Sequence, residues 1–447
     1  MHSRRLLGQP KIIFSLSIPR RVSAGIVGLL LGIVTGCGTA PLPEDANASP
    51  SRPDDPAVVS SSNVQADAGS DGVFAQAQPA AMPAAGEFVI EGAIDGLTDV
   101  NVYALGPAAA GDRVILDVTG QDGLNTVAAL FDGAGDLIDA NDDRSYYAGR
   151  LDPYIARVIR EDTDNLYLGV AVSTGTNFAS TAGRYDHGAY SVRIRRDPAQ
   201  PVPSVQPQVV YLNFEGGDQV QIGLEPVEAM RAFSAESISG RLAGQSEYIV
   251  EMLLDHMRQD YAPYNVTLLS SKHDAVPSVP HSTLYFGNYN AAYLGLADNV
   301  DTGNAFLQQE AIVYAEDLGM FEALQPSAEE VAQALANVAA HELGHLLGLE
   351  HTAEARDLMA TASSARQVLE TDAGFVRARL QAAVFSLGWQ NNPHLLALNV
   401  GVNPLAELAS RLRMADTPPK AAPTWRDLLP DIPVVQCGGC AEHADGY

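Results

Sequence analysis

The sequence predicts an α+β fold in which a domain with a twisted mixed sheet and long helices follows an all-β sandwich. Residues 86–197 contain short runs of alternating apolar residues separated by Gly, Asn and Asp, a pattern typical of antiparallel strands. Residues 207–390 combine strand-like runs with helical apolar stripes, one of which begins after Ser327. At 447 residues the chain is long enough for both domains.

The composition excludes several classes of protein. The chain has 54 Asp and Glu against 27 Lys and Arg, a net charge of -27, so it lacks the basic excess with which proteins bind nucleic acid. A hydrophobic content of 46% excludes a wholly disordered chain. No apolar run is long enough for a polytopic membrane protein, and three cysteines are too few for a disulfide framework.

Residues 1–36 have the features of an export signal. Five Arg or Lys residues and no acidic residue accompany an apolar run at residues 24–36 that is too short to cross a bilayer. The run ends Val34-Thr35-Gly36-Cys37, which resembles the lipobox of bacterial lipoproteins. The resemblance implies cleavage before Cys37 and lipid attachment to it. Gly38 in place of Asp is compatible with transfer to an outer membrane, and the alternative is a buried free cysteine behind an ordinary signal.

Residues 37–85 are predicted to form a disordered tether. Seven prolines are interleaved with Ser, Ala and Asp, and large apolar side chains are almost absent. Such a segment cannot bury enough surface to order itself, so we expect it to hold the following domains away from the membrane.

Residues 86–197 are predicted to form the sandwich. Strands are expected at residues 88–90, 100–105, 114–118, 127–131, 167–172 and 190–194. Several phrases resemble, in order, the bacterial pre-peptidase C-terminal domain: Asp99-Val100-Asn101-Val102-Tyr103, Ala110-Gly111-Asp112, Leu130-Phe131-Asp132, Asn141-Asp142-Asp143, Leu151-Asp152-Pro153-Tyr154 and Gly188-Ala189-Tyr190-Ser191-Val192. The resemblance implies an accessory domain of a secreted protease. Asp132, Asp142 and Asp143 are either Ca²⁺ ligands in a loop or solvated turn residues.

The most specific pattern lies at residues 341–351, His-Glu-Leu-Gly-His-Leu-Leu-Gly-Leu-Glu-His, which matches H-E-x-x-H-x-x-G-x-x-H throughout. Because His345 follows His341 by four residues, both imidazoles lie on one helix face and can bind one Zn²⁺. Ser327 and Glu330 predict a capping box at the start of this helix. Gly348 allows the left-handed turn that ends the helix and returns His351 as the third ligand.

Three neutral protein ligands leave a fourth position for water, which is typical of a catalytic zinc site. Glu342 lies one residue from a ligand and is the candidate general base that takes a proton from the zinc-activated water. This set of residues predicts hydrolysis. The alternatives are a Glu342 that only solvates the helix, and a chain that binds zinc without turnover.

With these residues the chain resembles the metzincin zinc peptidases and, among them, the matrixins. Met359, eight residues after His351, matches the Met-turn, whose methionine packs beneath the zinc. Thr352 resembles the hydroxyl residue that matrixins have at this position, and no Tyr lies two residues after Met359, so an additional tyrosine ligand is not expected. Ala360-Thr361-Ala362 stands in place of the usual proline and leaves the shape of the specificity loop open.

The resemblance implies a metzincin domain over residues 207–390. Strands are expected at residues 209–214, 266–269, 283–286 and 311–314, and helices at residues 242–259 and 372–387. The strand at residues 311–314 is expected to form the sheet edge that binds substrate as an added strand. Asp298 and Asp301 lie where relatives often bind Ca²⁺, with a solvated loop as the alternative.

Residues 391–447 are predicted to be a C-terminal tail with a short amphipathic helix over residues 404–414. Cys437 and Cys440 have C-x-x-C spacing, and in an exported protein a local disulfide is expected. The alternative is a thiolate from this pair that reaches the catalytic zinc and inhibits the enzyme.

These features together predict an exported zinc endopeptidase, lipid-anchored to the bacterial cell envelope, that hydrolyses proteins or peptides. The rival from another class is a surface binding or adhesion lipoprotein whose sandwich binds the partner and whose zinc site is vestigial. The intact Glu342, the open coordination position and Met359 favour the peptidase.

Overall fold

The computed structural model describes residues 57–60, 70–145, 150–173, 186–223, 228–403 and 433–435. All of them belong to one compact unit that spans residues 55–447. No helix among these residues is both long enough and apolar enough to cross a membrane.

The N-terminal part is a sandwich of two five-stranded sheets with one short helix. Alternating apolar residues place one face of each sheet in a shared core. The elements are β1 (Ala57–Ser60), α1 (Ser70–Ala75), β2 (Gln78–Pro79), β3 (Gly86–Ile94), β4 (Val100–Ala108), β5 (Arg113–Gly120), β6 (Thr126–Phe131), β7 (Leu137–Asn141), β8 (Tyr154–Val158), β9 (Thr163–Val172) and β10 (Gly188–Asp197). The strand orders are β1-β3-β10-β5-β8 and β2-β4-β9-β6-β7.

The six strands predicted in this region are present as β3, β4, β5, β6, β9 and β10. Strands β7 and β8 were not predicted, because each has only five residues and little regular alternation. Parts of the segment predicted as a disordered tether are ordered in the structure. Residues 57–60 form β1, which pairs with β3. Residues 70–85 pack against the sandwich through apolar side chains, including the buried Val73, Ala80 and Met82.

The C-terminal part is built around a third five-stranded sheet, in the order β14-β11-β15-β17-β16. Its elements are β11 (Gln208–Asn213), β12 (Gly217–Val220), β13 (Glu228–Met230), α2 (Ala235–Ile238), α3 (Ser246–Asp260), β14 (Val266–Ser270), β15 (Ser282–Gly287), β16 (Gly295–Ala297), β17 (Glu310–Tyr314) and α4 (Ala328–Leu346). β14, β11, β15 and β17 are parallel, and only β16 runs antiparallel to its neighbour. Helices α3 and α4 pack against each other and against this sheet.

The prediction that residues 311–314 form the sheet edge is wrong. These residues lie in β17, which pairs with β15 on one side and with β16 on the other. The edge is therefore β16, which has only three residues and is too short to give a periodic pattern in the sequence.

The chain after α4 forms β18 (Ala362–Ser364), α5 (Ala365–Glu370), β19 (Arg377–Arg379), β20 (Trp389–Asn391), α6 (Asn392–Val400) and β21 (Pro433–Val435). The helix predicted over residues 372–387 is absent, since these residues form β19 and turns. A helix forms at α6 instead, where Leu396 and Val400 are fully buried in the core of the C-terminal part. This core therefore extends beyond residue 390, where the sequence analysis ended the domain. The helix predicted over residues 404–414 lies outside the described residues.

Candidate metal centre

Helix α4 carries the first two histidines and is fixed at its start by the predicted capping box. The Ser327 hydroxyl accepts a hydrogen bond from the Glu330 amide at 3.2 Å, and the Glu330 carboxylate accepts one from the Ser327 amide at 2.7 Å. Val331 and Leu335 are buried in the core. The helix is therefore held rigidly along its length before it reaches His341.

The helix ends in a Schellman turn at Gly348. Gly348 has φ +89°, its amide donates to the His345 carbonyl at 2.9 Å, and the Leu349 amide donates to the Gly344 carbonyl at 2.9 Å. A Cβ atom at residue 348 would lie 2.6 Å from the Asp301 carbonyl oxygen. Glycine is needed here for both its dihedral angle and its size, and the turn reverses the chain so that His351 faces the helix.

Three histidine side chains converge after this turn. The Nε2 atom of His345 lies 3.1 Å from Nε2 of His341 and 3.0 Å from Nε2 of His351. Two nitrogen ligands at tetrahedral angles around Zn²⁺ are about 3.3 Å apart when each bond is about 2.0–2.1 Å. The arrangement therefore fits a zinc ion with small adjustments. Among the described residues, no other group of three His, Cys, Asp or Glu side chains brings its ligand atoms this close together.

Hydrogen bonds to the backbone orient two of the rings. Nδ1 of His341 donates to the Leu358 carbonyl at 2.6 Å, and Nδ1 of His345 donates to the Leu349 carbonyl at 2.7 Å. A proton held on Nδ1 leaves the Nε2 lone pair for a metal. Burial lowers the pKa of His341 to about 4 and lowers the pKa of His345 and of His351 well below the usual histidine value. All three imidazoles are therefore neutral near pH 7, as metal ligation requires.

Glu342 is fully buried and faces the edge strand β16. A Cβ atom at Gly295 would lie 2.3 Å from Oε1 and 2.8 Å from Cγ of Glu342. Only a residue without a side chain leaves room for Glu342 in this position. The role of Gly295 is not predictable from the sequence, because the contact joins residues that are far apart in the chain and no local motif marks it.

Met359, which the resemblance assigns to a Met-turn, packs against α4 at Gly344. It is fully buried, and a Cβ atom at Gly344, one residue before His345, would lie 2.5 Å from its sulfur. Its carbonyl accepts a hydrogen bond from the Thr352 amide at 2.9 Å. The methionine therefore contacts α4 and is hydrogen-bonded to Thr352, the residue after His351.

A buried polar cluster supports the same turn. The Thr352 hydroxyl donates to Asp357 at 2.5 Å, and the side-chain amide of Asn392 donates to both carboxylate oxygens of Asp357 at 2.7 Å. Burial raises the pKa of Asp357, and these hydrogen bonds oppose the rise. Thr352 was a predicted site residue, whereas Asp357 and Asn392 were not; Asn392 lies beyond residue 390, where the predicted domain ended.

The acidic residues considered for Ca²⁺ bond to the protein itself. The Asp298 carboxylate accepts hydrogen bonds from the Gly223 and Glu310 amides, and that of Asp301 from the Ala305 and Phe306 amides. In the sandwich, Asp132 accepts from the amides of Ala134 and Asp136. Asp142 is contacted by Ser173, and Asp143 is buried. The carboxylates of Asp132, Asp298 and Asp301 therefore bind backbone amides and stabilise the segments that carry them.

The three cysteines lie outside the described residues. Cys37 belongs to the undescribed N-terminal stretch, and Cys437 and Cys440 to the undescribed C-terminal one. The expectations of lipid attachment and of a disulfide remain predictions.

Comparison with known proteins gives one family match. Residues 292–373, which include the edge strand, the three histidines and Met359, match the model of the Matrixin family. No curated protein sequence matches the chain significantly. The family match and the three-histidine site together support a metzincin metallopeptidase.

Similar solved structures include archaemetzincin from Methanopyrus kandleri, with 16% identity and a TM-score of 0.23 over 39% of this chain and 91% of that one. The pre-peptidase C-terminal domain of a collagenase from Bacillus anthracis has 12% identity and a TM-score of 0.20 over 27% and 94%. PliG, a periplasmic inhibitor of g-type lysozyme from Aeromonas hydrophila, has 18% identity and a TM-score of 0.21 over 27% and 96%. At such TM-scores, the support for a metzincin comes from the family match and the site geometry.

Proposed function

We propose that this chain is an exported, lipid-anchored zinc endopeptidase of the matrixin type, which hydrolyses peptide bonds in proteins. The proposal rests on one arrangement of residues. Three neutral imidazoles converge, and the adjacent Glu342 is buried against the edge strand β16. Three protein ligands leave room for reacting groups, which distinguishes this site from a structural zinc site with four protein ligands.

The substrate is proposed to bind as an extended strand along β16. One side of β16 pairs with β17, and among the described strands none pairs with its other side. Backbone groups on a free edge can bind a peptide of any sequence through main-chain hydrogen bonds. Because Gly295 at the start of β16 contacts Glu342 of α4, a peptide bound along β16 would lie close to α4 and its histidines.

Catalysis is proposed to depend on His341, His345, His351 and Glu342. A bound Zn²⁺ supplies a Lewis acid that polarises the scissile carbonyl and makes water easier to deprotonate. The three histidines would hold the ion, and Met359 contacts α4 at Gly344, one residue before His345. Glu342 takes the proton from the attacking water and passes it to the departing amide nitrogen. Its buried position keeps bulk water from competing for that proton.

Export and anchoring are proposed from the sequence. The basic and apolar segment before Cys37 supports an export signal, and Val34-Thr35-Gly36-Cys37 supports lipid attachment at Cys37. Mass spectrometry of the mature amino terminus should find an acylated Cys37. An unmodified terminus at another residue would refute the anchor without affecting the proposed chemistry.

The rival proposal, an adhesion lipoprotein with a vestigial zinc site, is less well supported. A vestigial site would not need the buried Glu342 or the glycine that makes room for it.

Metal dependence tests the proposed activity. The processed protein, which we define as residues 37–447, is incubated with casein or gelatin before and after treatment with a chelator. We expect cleavage to stop when the metal is removed and to return with stoichiometric Zn²⁺. Cleavage that persists in the metal-free protein would exclude the zinc mechanism, and a zinc-loaded protein that cleaves no protein substrate would favour the rival.

A further inference from the structure

The outer face of one sandwich sheet is buried, although a sheet in a free sandwich needs to bury only its inner face. All six residues of β6 are buried. Those that point away from the sandwich core, including Val127, Ala129 and Phe131, form a second apolar cluster with residues of β4 and α1. An apolar face of this kind requires a cover.

The cover consists of α1 and the segment of residues 377–391, here called the bridging hairpin, which comprises β19, β20 and the turns between them. Leu380, Phe385 and Leu387 of the hairpin belong to the same apolar cluster. Phe385 is 1% exposed and packs edge-on against Phe131, with ring centroids 5.6 Å apart. A Cβ atom at Gly169 in β9 would lie 2.5 Å from the Phe385 ring, so the sandwich has a socket for this side chain.

Polar contacts fix the register of the bridging hairpin on the sandwich. The Asp136 carboxylate accepts hydrogen bonds from Nε of Arg377 at 2.6 Å and from the side-chain amide of Asn391 at 3.2 Å. The Trp389 backbone amide donates to the Gly135 carbonyl at 3.1 Å. Asp136 therefore holds both strands of the hairpin.

The other side of the bridging hairpin holds the third histidine. The Gln381 amide donates to the His351 carbonyl at 3.0 Å, and the Ala353 amide donates to the Arg379 carbonyl at 2.9 Å. The fully buried Gln390 side chain accepts from the Glu350 amide at 2.8 Å and donates to the Glu350 carbonyl at 2.7 Å. The backbone on both sides of His351 is thus paired with the hairpin.

His351 depends on this support more than the other two ligands do. His341 and His345 project from α4, and each ring is oriented by a backbone carbonyl. Among the described residues, no carbonyl or carboxylate accepts a hydrogen bond from the His351 ring, whose Nε2 lies 3.0 Å from Nε2 of His345. The position of its ring is therefore set by its backbone, and through the bridging hairpin by the sandwich.

We propose that the β-sandwich is an integral part of the zinc site, in which Asp136 and Phe385 act as positioning residues for His351. The inference rests on the proposed function only to the extent that the three histidines bind Zn²⁺. It predicts that disturbing the sandwich contact changes zinc binding in the other half of the molecule, whereas an equal disturbance elsewhere in the sandwich does not.

Zinc affinity of the processed protein tests the inference. The dissociation constant is measured by competition with a chromogenic chelator for Asp136→Ala, Phe385→Ala and Phe385→Leu, at a temperature where circular dichroism shows each to be folded. The matched control is Asp112→Ala, which breaks a buried pair with Arg196 within the sandwich and touches no residue of the bridging hairpin. Phe385→Leu retains apolar volume in case Phe385→Ala fails to fold.

We expect Asp136→Ala to weaken zinc binding by about 10-fold, the lower end of the range for outer-shell partners, because Asp136 acts on His351 only through the bridging hairpin, and Phe385→Leu to weaken it less. The zinc dissociation constant of Asp112→Ala should lie within about twofold of that of the unmodified protein, even if its melting temperature falls as much as that of Asp136→Ala. Unchanged zinc affinity in Asp136→Ala, or an equal loss in Asp112→Ala, would overturn the inference. Zinc binding by an unmodified protein that cleaves nothing would overturn the proposed function alone.

Discussion

At the scale of single residues, glycines leave the space that the residues of the site occupy. Gly295, Gly344 and Gly348 each leave space that a Cβ atom would occupy, beside Glu342, Met359 and the Asp301 carbonyl respectively. The histidine spacing was predictable because it depends only on local helix geometry. The space at Gly295 was not, because it depends on how β16 approaches α4.

Gly295→Ala should impair catalysis without releasing the metal. The added methyl group would displace the Glu342 side chain, and misplacement of a reacting group by about 1 Å lowers a rate on the order of 100-fold. The measurement is kcat/KM for casein peptides together with zinc content. Gly240→Ala is the control, since a Cβ atom there meets nothing within 4 Å. Equal activity of the two variants would show that Gly295 does not constrain Glu342.

At the scale of elements, the regular strands and the zinc helix were predictable, because each repeats a pattern over five or more residues. The failed helix over residues 372–387 has a physical cause. Its apolar residues belong to two different cores: Phe375 packs against Tyr261 in the C-terminal part, whereas Leu380, Phe385 and Leu387 pack on the sandwich. Their helix-like spacing is produced by two separate tertiary contacts.

Asp260, the last residue of α3, makes the free energy of unfolding depend on pH. Burial and the neighbouring Asp372 raise the pKa of Asp260 from 3.8 to about 7. As pH rises from about 4 to about 7, the unfolded chain loses this proton before the folded one does, so the free energy of unfolding falls. It is lowest, with respect to this group, above pH 7.

Asp260→Asn should remove this loss of stability. We expect the variant to match the unmodified protein near pH 4 and to exceed it by on the order of 2 kcal/mol at pH 8, as measured by urea unfolding. Asp255→Asn on the same helix is the control, because its side chain is 63% exposed. A stability difference that does not change with pH would contradict the assigned titration.

At the scale of the whole molecule, the sandwich and the C-terminal part share an interface made of the bridging hairpin and α6. Besides the apolar cluster around Phe385, Nη1 of Arg160 donates to the Asn399 side chain at 2.9 Å, and His394 lies 3.0 Å from Glu161. Sequence patterns predict two domains but not this contact, since residues of α1, of four strands (β4, β6, β7 and β9) and of the bridging hairpin come together only in the folded chain.

Cutting the linker tests whether the interface holds by itself. Residues 201–205 are exposed, so a site for a specific protease can be placed there. Because the two parts bury apolar side chains against each other, we expect the fragments to elute together in gel filtration after complete cleavage and to separate only in denaturant. Elution as two separate species in native buffer would mean that the linker alone keeps the parts together.

The central claim is that Glu342 acts as the base at a zinc site formed by His341, His345 and His351. Its most direct test is the cleavage rate per bound zinc in Glu342→Ala, with Glu322→Ala as an exposed-glutamate control. We predict full zinc content, an unchanged fold and a rate lowered by about 100- to 10,000-fold, the contribution of a general base. A Glu342→Ala protein that keeps its zinc and cleaves at the rate of the control would contradict the account.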